Sequence, residues 1–557
     1  MSNKEISNQF STLSKLMDVH GENSFRSKSY SIAAFKITQL PVELQVLSTE
    51  KISSLNGIGD AIAKKIQEIF SDGMIKNLQE LISKTPEGIF EMLKIKGLGP
   101  KKIGVIWKEM GIENIGELLY ACEENRLLLY EGFGKKTQQN VVEAIQFFMS
   151  QKGSYLYAQV DQLSRELLLL FKKIFSTDLI SLTGNFRRQD ETMNALEFVI
   201  ATSMKSINSE VKKLGEFELI EEAITSVSYK FKEGILVKIF SSSSENFIAT
   251  LFDKTGNEDF VNAFHKLYPK AKISGSENEE QIFKETGLQY IPPFLRENAE
   301  IIDLAKQNKI PVLIQPSDIK GIIHCHSNWS DGINTLEELA KACKKSGKDY
   351  LVISDHSKTA SYANGLSIDR IKAQHELVEE LNEKLKPFKI FKSIESDILN
   401  DGSLDYDEEI LRNFDLVITS VHSNLKMTLE KAMARLLKAI ENPYTTILGH
   451  MTGRLLLSRK GYPLDYKKII DSCAAKNVVI EINAHPRRLD MRWQWISYAL
   501  SKGVLLSIDP DSHSIAEFDN TYYGVLVAQK GMVTPAQNLS SFSLKEFEAF
   551  LKQKKQN

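Results

Sequence analysis

Nine side chains in the C-terminal half can hold divalent cations: His324, His326, Asp331, His356, Glu395, His422, His450, Asp511 and His513. Residues 321–331, GIIHCHSNWSD, bring the first three together. In an extended chain, residues i and i+2 face the same way. His324 and His326 therefore project together, Cys325 points to the opposite face, and Asp331 can fold back over the same spot at the Asp331-Gly332 turn. Imidazole with carboxylate on one side of a strand end makes a metal site. Nine ligands exceed the capacity of one ion at about four to six bonds each, so two or three divalent ions are implied. With no thiolate in the set, manganese, zinc and iron all suit. Clustered ions lower the pKa of a bridging water, orient a phosphate and stabilise a leaving oxygen.

The elements that must position these groups are strands. Apolar, β-branched runs at 319–323, 350–354, 389–394, 415–420, 445–448, 477–482 and 504–508 alternate with amphipathic helical segments. Seven such βα units predict a parallel sheet closing into a TIM-like barrel, where chemistry gathers at the C-terminal ends of the strands. Six of the chain's 10 histidines lie at those ends. Of the other two in this half, His375 reads as a helical surface residue and His485 follows the sixth strand. Arg454, Arg459, Arg487 and Arg488 follow strands five and six and could grip phosphates.

The first 150 residues are helical in pattern, with Ile62, Ile66, Ile69 and Phe70 on one face. Three glycine hairpins punctuate them, carrying Gly57 and Gly59, Gly97 and Gly99, and Gly132 and Gly134. Each leads into paired lysines: Lys64 and Lys65, Lys101 and Lys102, Lys135 and Lys136. Glycine lets backbone approach a phosphate, the next helix start offers free N–H groups, and lysine adds charge there. Such contacts position DNA without reading its sequence. Lys65 follows the first hairpin as the lyase lysine does in polymerase-beta-like proteins, a resemblance that implies attack on an abasic sugar as a Schiff-base nucleophile.

Composition narrows the alternatives. A chain of 557 residues holds several domains. A net charge of −2 means that nucleic-acid binding must come from local patches. Cys122, Cys325, Cys343 and Cys473 are scattered without a C-x-x-C, which argues against zinc fingers and disulfide frameworks and for a reducing compartment. MSNKEISNQF has no signal-type apolar run and no stretch is long enough to span a bilayer, so the expectation is a cytoplasmic protein with no membrane partner.

Residues 150–315 change to mixed strands and helices. Gly184, Arg187, Arg188, Glu191 and Thr192 lead into a strand from Ala195, and together they resemble the nucleotidyltransferase palm of family X DNA polymerases. That family's pattern implies a serine after the glycine and an Asp-x-Asp pair for two magnesium ions; here those positions read Asn185, Ala195 and Glu197, and the third carboxylate falls at or beside Lys238. Two-metal catalysis needs closely spaced carboxylates, so the palm reads as a fold that has lost its polymerase chemistry. The glycine hairpins resemble the helix-hairpin-helix motif of DNA repair enzymes.

The C-terminal blocks GIIHCHSNWSDG, ISDHSKTASYANGLS, SIESDILNDGSLDY, SVHS, GHMTGRLLL, EINAHPRRLDM and SIDPDSHS resemble the PHP (polymerase and histidinol phosphatase) domain. Met451 departs from the family's usual proline but is not a ligand. The whole chain is similar to the bacterial PolX family. The resemblance implies a multidomain protein: an α-helical helix-hairpin-helix region at 1–150, an α+β palm and thumb at 151–300, a linker at 301–318 carrying Pro311 and Pro316, and an α/β PHP barrel of seven strands at 319–557. It implies 3′-5′ exonuclease activity on DNA, with single-stranded ends and gapped or damaged duplex as partners. A phosphatase acting on a small phosphomonoester such as histidinol phosphate, and a non-catalytic DNA-binding scaffold, are the alternatives.

Overall fold

A computed structural model describes residues 1–557 apart from Asn56, Gly57, Lys96, Gln151, Lys152, Lys232, Glu233, Lys272 and Asn557. Two compact units are present: residues 1–123 with 130–146, and residues 124–129 with 147–557.

The first unit is helical. Ser2 caps Asn3–His20 in a reciprocal box with Glu5, and Gly21 closes the helix at φ 75°, a left-handed turn that glycine adopts without steric cost. Phe10, Leu13 and Met17 of this helix pack with Tyr30, Ala33 and Ile37 of Ser24–Thr38, and with Ile62, Ile66 and Ile69 of Asp60–Asp72. Phe70 packs at the edge of the same cluster.

In the second unit, a five-stranded sheet runs in the order Ile180–Thr183, Ala195–Ile200, Leu236–Ser241, Ser226–Phe231, Phe217–Glu222. The helix Tyr157–Phe175 backs it, with Phe171 edge-on to Phe198 at 5.0 Å. An aromatic cluster of Phe252, Phe260, Phe264 and Phe283 follows. Residues 301–318, expected as a linker, begin inside a helix, Glu300–Lys306, whose Ile301, Ile302 and Ala305 are buried in that cluster. Three apolar side chains on one helical face account for this, and the prolines lie beyond the helix.

The last part is a parallel sheet of seven strands: Gly321–Cys325, Tyr350–Ile353, Lys389–Asp397, Leu416–Ser420, Ile447–Leu448, Val479–Asn483 and Leu506–Asp509. It is nearly closed by a parallel bridge between Cys325 and Ser512. Apolar residues near the strand starts, Tyr350, Phe391, Leu416 and Val479, cluster with Phe547 and Leu551 of the helix Leu544–Lys554. The polar residues lie further along each strand or just beyond it. One expectation fails here. His375 is half-buried, with its ring edge-on to Phe414 at 5.0 Å, and burial followed by the charge of Lys392 pushes its pKa down to about 4. Its helix turns a wider face inward than the apolar residues alone outline. No helix among the described residues is long and apolar enough to cross a membrane.

Candidate functional site

The first barrel strand does not alternate simply. Ile322 and Cys325 pack in the cluster of Leu336, Leu339 and Leu351, whereas Ile323 belongs with Tyr350 and Val352. His324, between them, has φ 59°, and the pairing register shifts between Ile322 and Cys325. The bulge lets His324 and His326 share a face while Cys325 turns away. His450 (φ 21°) and Asp511 (φ 51°) are also left-handed. Non-glycine residues held in this region store strain, and they cluster at functional sites.

All nine predicted ligands converge, and no side chain among them is more than 4% exposed. His324 Nε2 lies 3.3 Å from both Glu395 Oε1 and Asp511 Oδ1. His326 Nε2 is 3.1 Å from Asp511 Oδ1. Glu395 also meets His356 Nδ1 at 2.9 Å, His450 Nε2 at 3.0 Å and His422 Nε2 at 3.1 Å. Asp331 folds back to 3.4 Å from His513 Nε2 and 3.5 Å from His356 Nε2. Among the described residues, three groups have ligand atoms close enough to share an ion: His326, Asp331, His356 and His513; His324, His326 and Asp511; His356, Glu395 and His422.

The chemistry of this donor set fits cations. Both Asp331 oxygens, both His356 nitrogens, His324 Nε2, His326 Nδ1, Glu395 Oε2, His450 Nδ1 and His513 Nε2 are buried without a hydrogen-bond partner. Each such atom costs about 1–3 kcal/mol if left unsatisfied, and positive ions at the centre would satisfy the carboxylate oxygens and the one lone-pair nitrogen of each histidine that faces them. Against burial, the surrounding histidines hold Asp331 and Glu395 well below the usual carboxylate range. Asp511 is held down in the same way by His324 and His326. Burial, then the charge of Arg488, pushes His450 down to about 3, whereas the neighbouring carboxylates, against burial, hold His324 and His356 well above their ordinary value.

Two supporting carboxylates escaped sequence reasoning. Glu481 Oε1 accepts from His324 Nδ1 at 2.5 Å, while its Oε2 accepts the His450 backbone N–H at 2.6 Å. Asp397 Oδ1 accepts from His422 Nδ1 at 2.5 Å. Each fixes the proton on Nδ1 and leaves Nε2 to face the centre. The signals were present: Asp397 is two residues beyond Glu395 on one strand, and Glu481 is a lone carboxylate in a buried apolar strand.

The four arginines divide. Arg488 Nε is 3.7 Å from Asp511 Oδ2, and Arg487 is buried nearby in sequence. Arg459 Nε donates to the Gly453 carbonyl at 2.8 Å. Arg454 is not available to a phosphate. Its guanidinium donates to Glu191 at 2.6 and 3.1 Å and to the carbonyls of Arg488 and Leu489. A buried guanidinium takes the nearest carboxylate that matches its fork.

In the palm, Ala195 offers no ligand and Lys238 pairs across the sheet with Glu197. Glu197 lies so close to Gly184 that a Cβ there would stand 1.6 Å from Oε2. Burial pushes the Glu197 carboxyl up, with Lys238 opposing. Arg187 donates to Thr255 at 2.8 Å and Glu279 at 2.6 Å; Arg188 donates to Asn185 at 2.7 Å and to the Thr255 carbonyl at 2.9 Å. Internal partners thus occupy the pair expected to hold phosphate.

Of the hairpin residues, Gly57 lies outside the described residues. Gly59 and Gly99 are the N-caps of Asp60–Asp72 and Pro100–Lys108, neither with a side-chain cap bond. Gly97 (φ 89°) and Gly132 (φ 84°) make the left-handed turns. A Cβ at Gly59, Gly97, Gly99, Gly132 or Gly134 would meet nothing within 4 Å, so these turns are open to an incoming backbone. Lys101 and Lys135 are exposed, and Lys102 lies 5.3 Å over Phe133. The Lys65 side chain is only 15% exposed, with Nζ 3.9 Å from Glu68.

Comparison with known proteins gives matches to a helix-hairpin-helix domain over residues 1–75, a SAM-like helix-hairpin-helix tandem over 89–146 and a PHP domain over 323–485. The "DNA polymerase/3'-5' exonuclease PolX" of Bacillus subtilis (strain 168) is 32% identical, covering 99% of this chain and 100% of its own length. A "Probable phosphatase" of Acetivibrio thermocellus is 26% identical over 248 residues, 42% of this chain and 95% of that protein. A second "Probable phosphatase", from Thermoanaerobacter sp. (strain X514), is 29% identical over 166 residues, 29% of this chain and 62% of that protein.

Proposed function

The chain belongs to the bacterial PolX family, and from that premise we propose that it is a DNA-binding, metal-dependent phosphodiesterase that removes nucleotides from 3′ ends through its PHP domain. The observation that carries the reading is the convergence of nine buried ligand side chains, several with unsatisfied atoms, at the ends of the barrel strands. Two or three ions, manganese or zinc with iron as a further option, would be held by His324, His326, Asp331, His356, Glu395, His422, His450, Asp511 and His513. Bound there, such ions supply an activated water and positive charge for the phosphate. The chain's own part is to fix their donors. Glu481 and Asp397 keep His324 and His422 in the tautomer that presents Nε2. Arg488, beside Asp511, is placed to steady a phosphate oxygen.

The glycine hairpins would hold the DNA backbone through N–H groups and lysines, with single-stranded ends and gapped or damaged duplex as partners. The palm would no longer transfer nucleotides. We read residues 1–150 as the hairpin region, 151–300 as palm and thumb, 301–318 as the join, with its first turns folded into the thumb, and 319–557 as the hydrolase. Four free, buried cysteines suit the reducing cytoplasm.

The test is incubation of the full chain with manganese and 5′-labelled single-stranded DNA, in parallel with a small phosphomonoester. Stepwise shortening from the 3′ end, well above turnover of the monoester, is the expected result. Turnover of the monoester alone would favour the phosphatase reading that two relatives' names suggest. Inert protein with bound metal would favour the scaffold.

A further inference from the structure

One group at the barrel mouth has no place in the chemistry described so far. Tyr362 follows the second barrel strand on the same loop as His356, and its ring centre is 6.1 Å from that of His356 and 6.3 Å from that of His422. Its hydroxyl is buried and has no hydrogen-bond partner among the described residues. Buried tyrosine hydroxyls usually find one. Residues 124–129 belong to the same compact unit as the barrel, and within it the Arg126 guanidinium lies 4.5 Å over the Tyr362 ring. Glu124 Oε2 lies 2.6 Å from Arg126 Nη2 and steadies the guanidinium plane. Stacking uses the face of a guanidinium, whereas its N–H donors lie on the edge, in the geometry that suits a phosphate.

We propose that Tyr362 and Arg126 contact the substrate together: the phenol donates to an oxygen of the phosphate at the metal ligands, and Arg126, by holding the neighbouring phosphate, selects a polynucleotide end over a small phosphate ester. The inference rests on the phosphodiesterase reading above and adds a specificity element to it. A phosphomonoester has no second phosphate, so it gains nothing from Arg126. A phosphodiester within a DNA strand does. Neither residue is among the ligands, so the pair acts on which substrate is held and not on whether ions bind.

The test compares Arg126→Ala, Arg126→Lys and Tyr362→Phe with wild type as full chains with manganese. Turnover of labelled single-stranded DNA is measured against bis(p-nitrophenyl) phosphate, a diester with no second phosphate. The ratio of kcat/KM on DNA to that on the small diester should fall about tenfold or more in Arg126→Ala, mainly through KM on DNA. Arg126→Lys should recover part of it, and Tyr362→Phe should weaken binding of a thymidine dinucleotide. Metal content reports that the barrel is intact. If Arg126→Ala does not fold, Arg126→Lys and Tyr362→Phe, which preserve shape, carry the test. Unchanged ratios and dinucleotide affinity in variants of an enzyme that degrades DNA would overturn this inference alone. Wild-type protein that leaves DNA intact overturns the parent reading and this one with it.

Discussion

Replacing Glu481 by Gln is nearly isosteric, yet it should disable the centre. The Glu481 carboxylate accepts three times, from His324 Nδ1 at 2.5 Å, from the His450 N–H at 2.6 Å and from Asn483 Nδ2 at 3.2 Å, and it is fully buried. A glutamine has one acceptor oxygen and one donor nitrogen. If the nitrogen faces the His450 N–H, two donors confront each other at the 2.6 Å spacing of the native bond. If it faces His324, that imidazole must accept on Nδ1 and carry its proton on Nε2. Nε2 is the atom 3.3 Å from both Glu395 and Asp511, so the ring would present a hydrogen where a ligand lone pair is needed. Loss of such an orienting partner typically costs about 10–100-fold in metal affinity or activity, or about 1.4–2.8 kcal/mol at 1.4 kcal/mol per tenfold. Metal content after dialysis against graded manganese buffers, measured beside the exonuclease rate, reads this directly. A thermal melt in chelator separates it from the fold, because in the metal-free protein only the lost hydrogen bond, about 1–3 kcal/mol, should register. A Glu481→Gln protein with wild-type metal affinity and rate would refute the tautomer argument.

His324→Ala or Asp511→Ala should abolish exonuclease activity and lower bound metal while DNA binding, measured by mobility shift, persists; a full rate in either would refute the ligand assignment. Primer extension with magnesium or manganese in an Asp511→Ala background should give no meaningful incorporation, since Ala195 supplies no ligand and Lys238 would repel a cation beside Glu197; robust extension would mean that the palm carboxylates lie elsewhere. Borohydride trapping on an incised abasic substrate tests Lys65, whose side chain is largely covered in this structure; an adduct lost in Lys65→Ala would establish the lyase. For stability, burial alone would raise Glu279, but Arg296 at 2.5 Å and Arg187 at 2.6 Å hold it below its ordinary value of 4.5. A depressed carboxyl contributes stability above its unfolded pKa and loses it as pH falls through the folded one. Glu279→Gln should therefore destabilise by about 3–5 kcal/mol at neutral pH, and the gap to wild type in a denaturant melt should narrow progressively below pH 4.5.

The convergence of the nine candidate residues was legible in the sequence because strand ends are: most fall at or just after an apolar run, and a parallel barrel gathers those ends by construction. The strand boundaries drifted by up to three residues, as at Ile447–Leu448, where 445–448 was expected, and Lys389–Asp397, where 389–394 was expected. What periodicity could not show was long-range partnership. Nothing in GHMTGR says that Arg454 faces Glu191, 263 residues away. Nothing in NVVIEIN says that its carboxylate orients a histidine on the first strand. The alternation rule paired His324 with His326 correctly, yet the strand achieves it through a left-handed residue that the rule does not contain.

The grip of Arg454 on Glu191 bears on how such chains are classified by their letters. Glu191 belongs to the signature of nucleotidyl transfer, but here it is anchored by an arginine four residues past His450, in the loop of a hydrolase. Selection for the hydrolase would carry that letter along as a hitchhiker, whether or not the palm ever turns over a nucleotide. A text search that scores the signature would count this protein as a polymerase for a reason that belongs to its other half. Under the proposed loss of polymerase chemistry, the signature should therefore erode unevenly, fastest at positions like 195 that answer only to nucleotidyl transfer and slowest where a neighbour has taken the residue over.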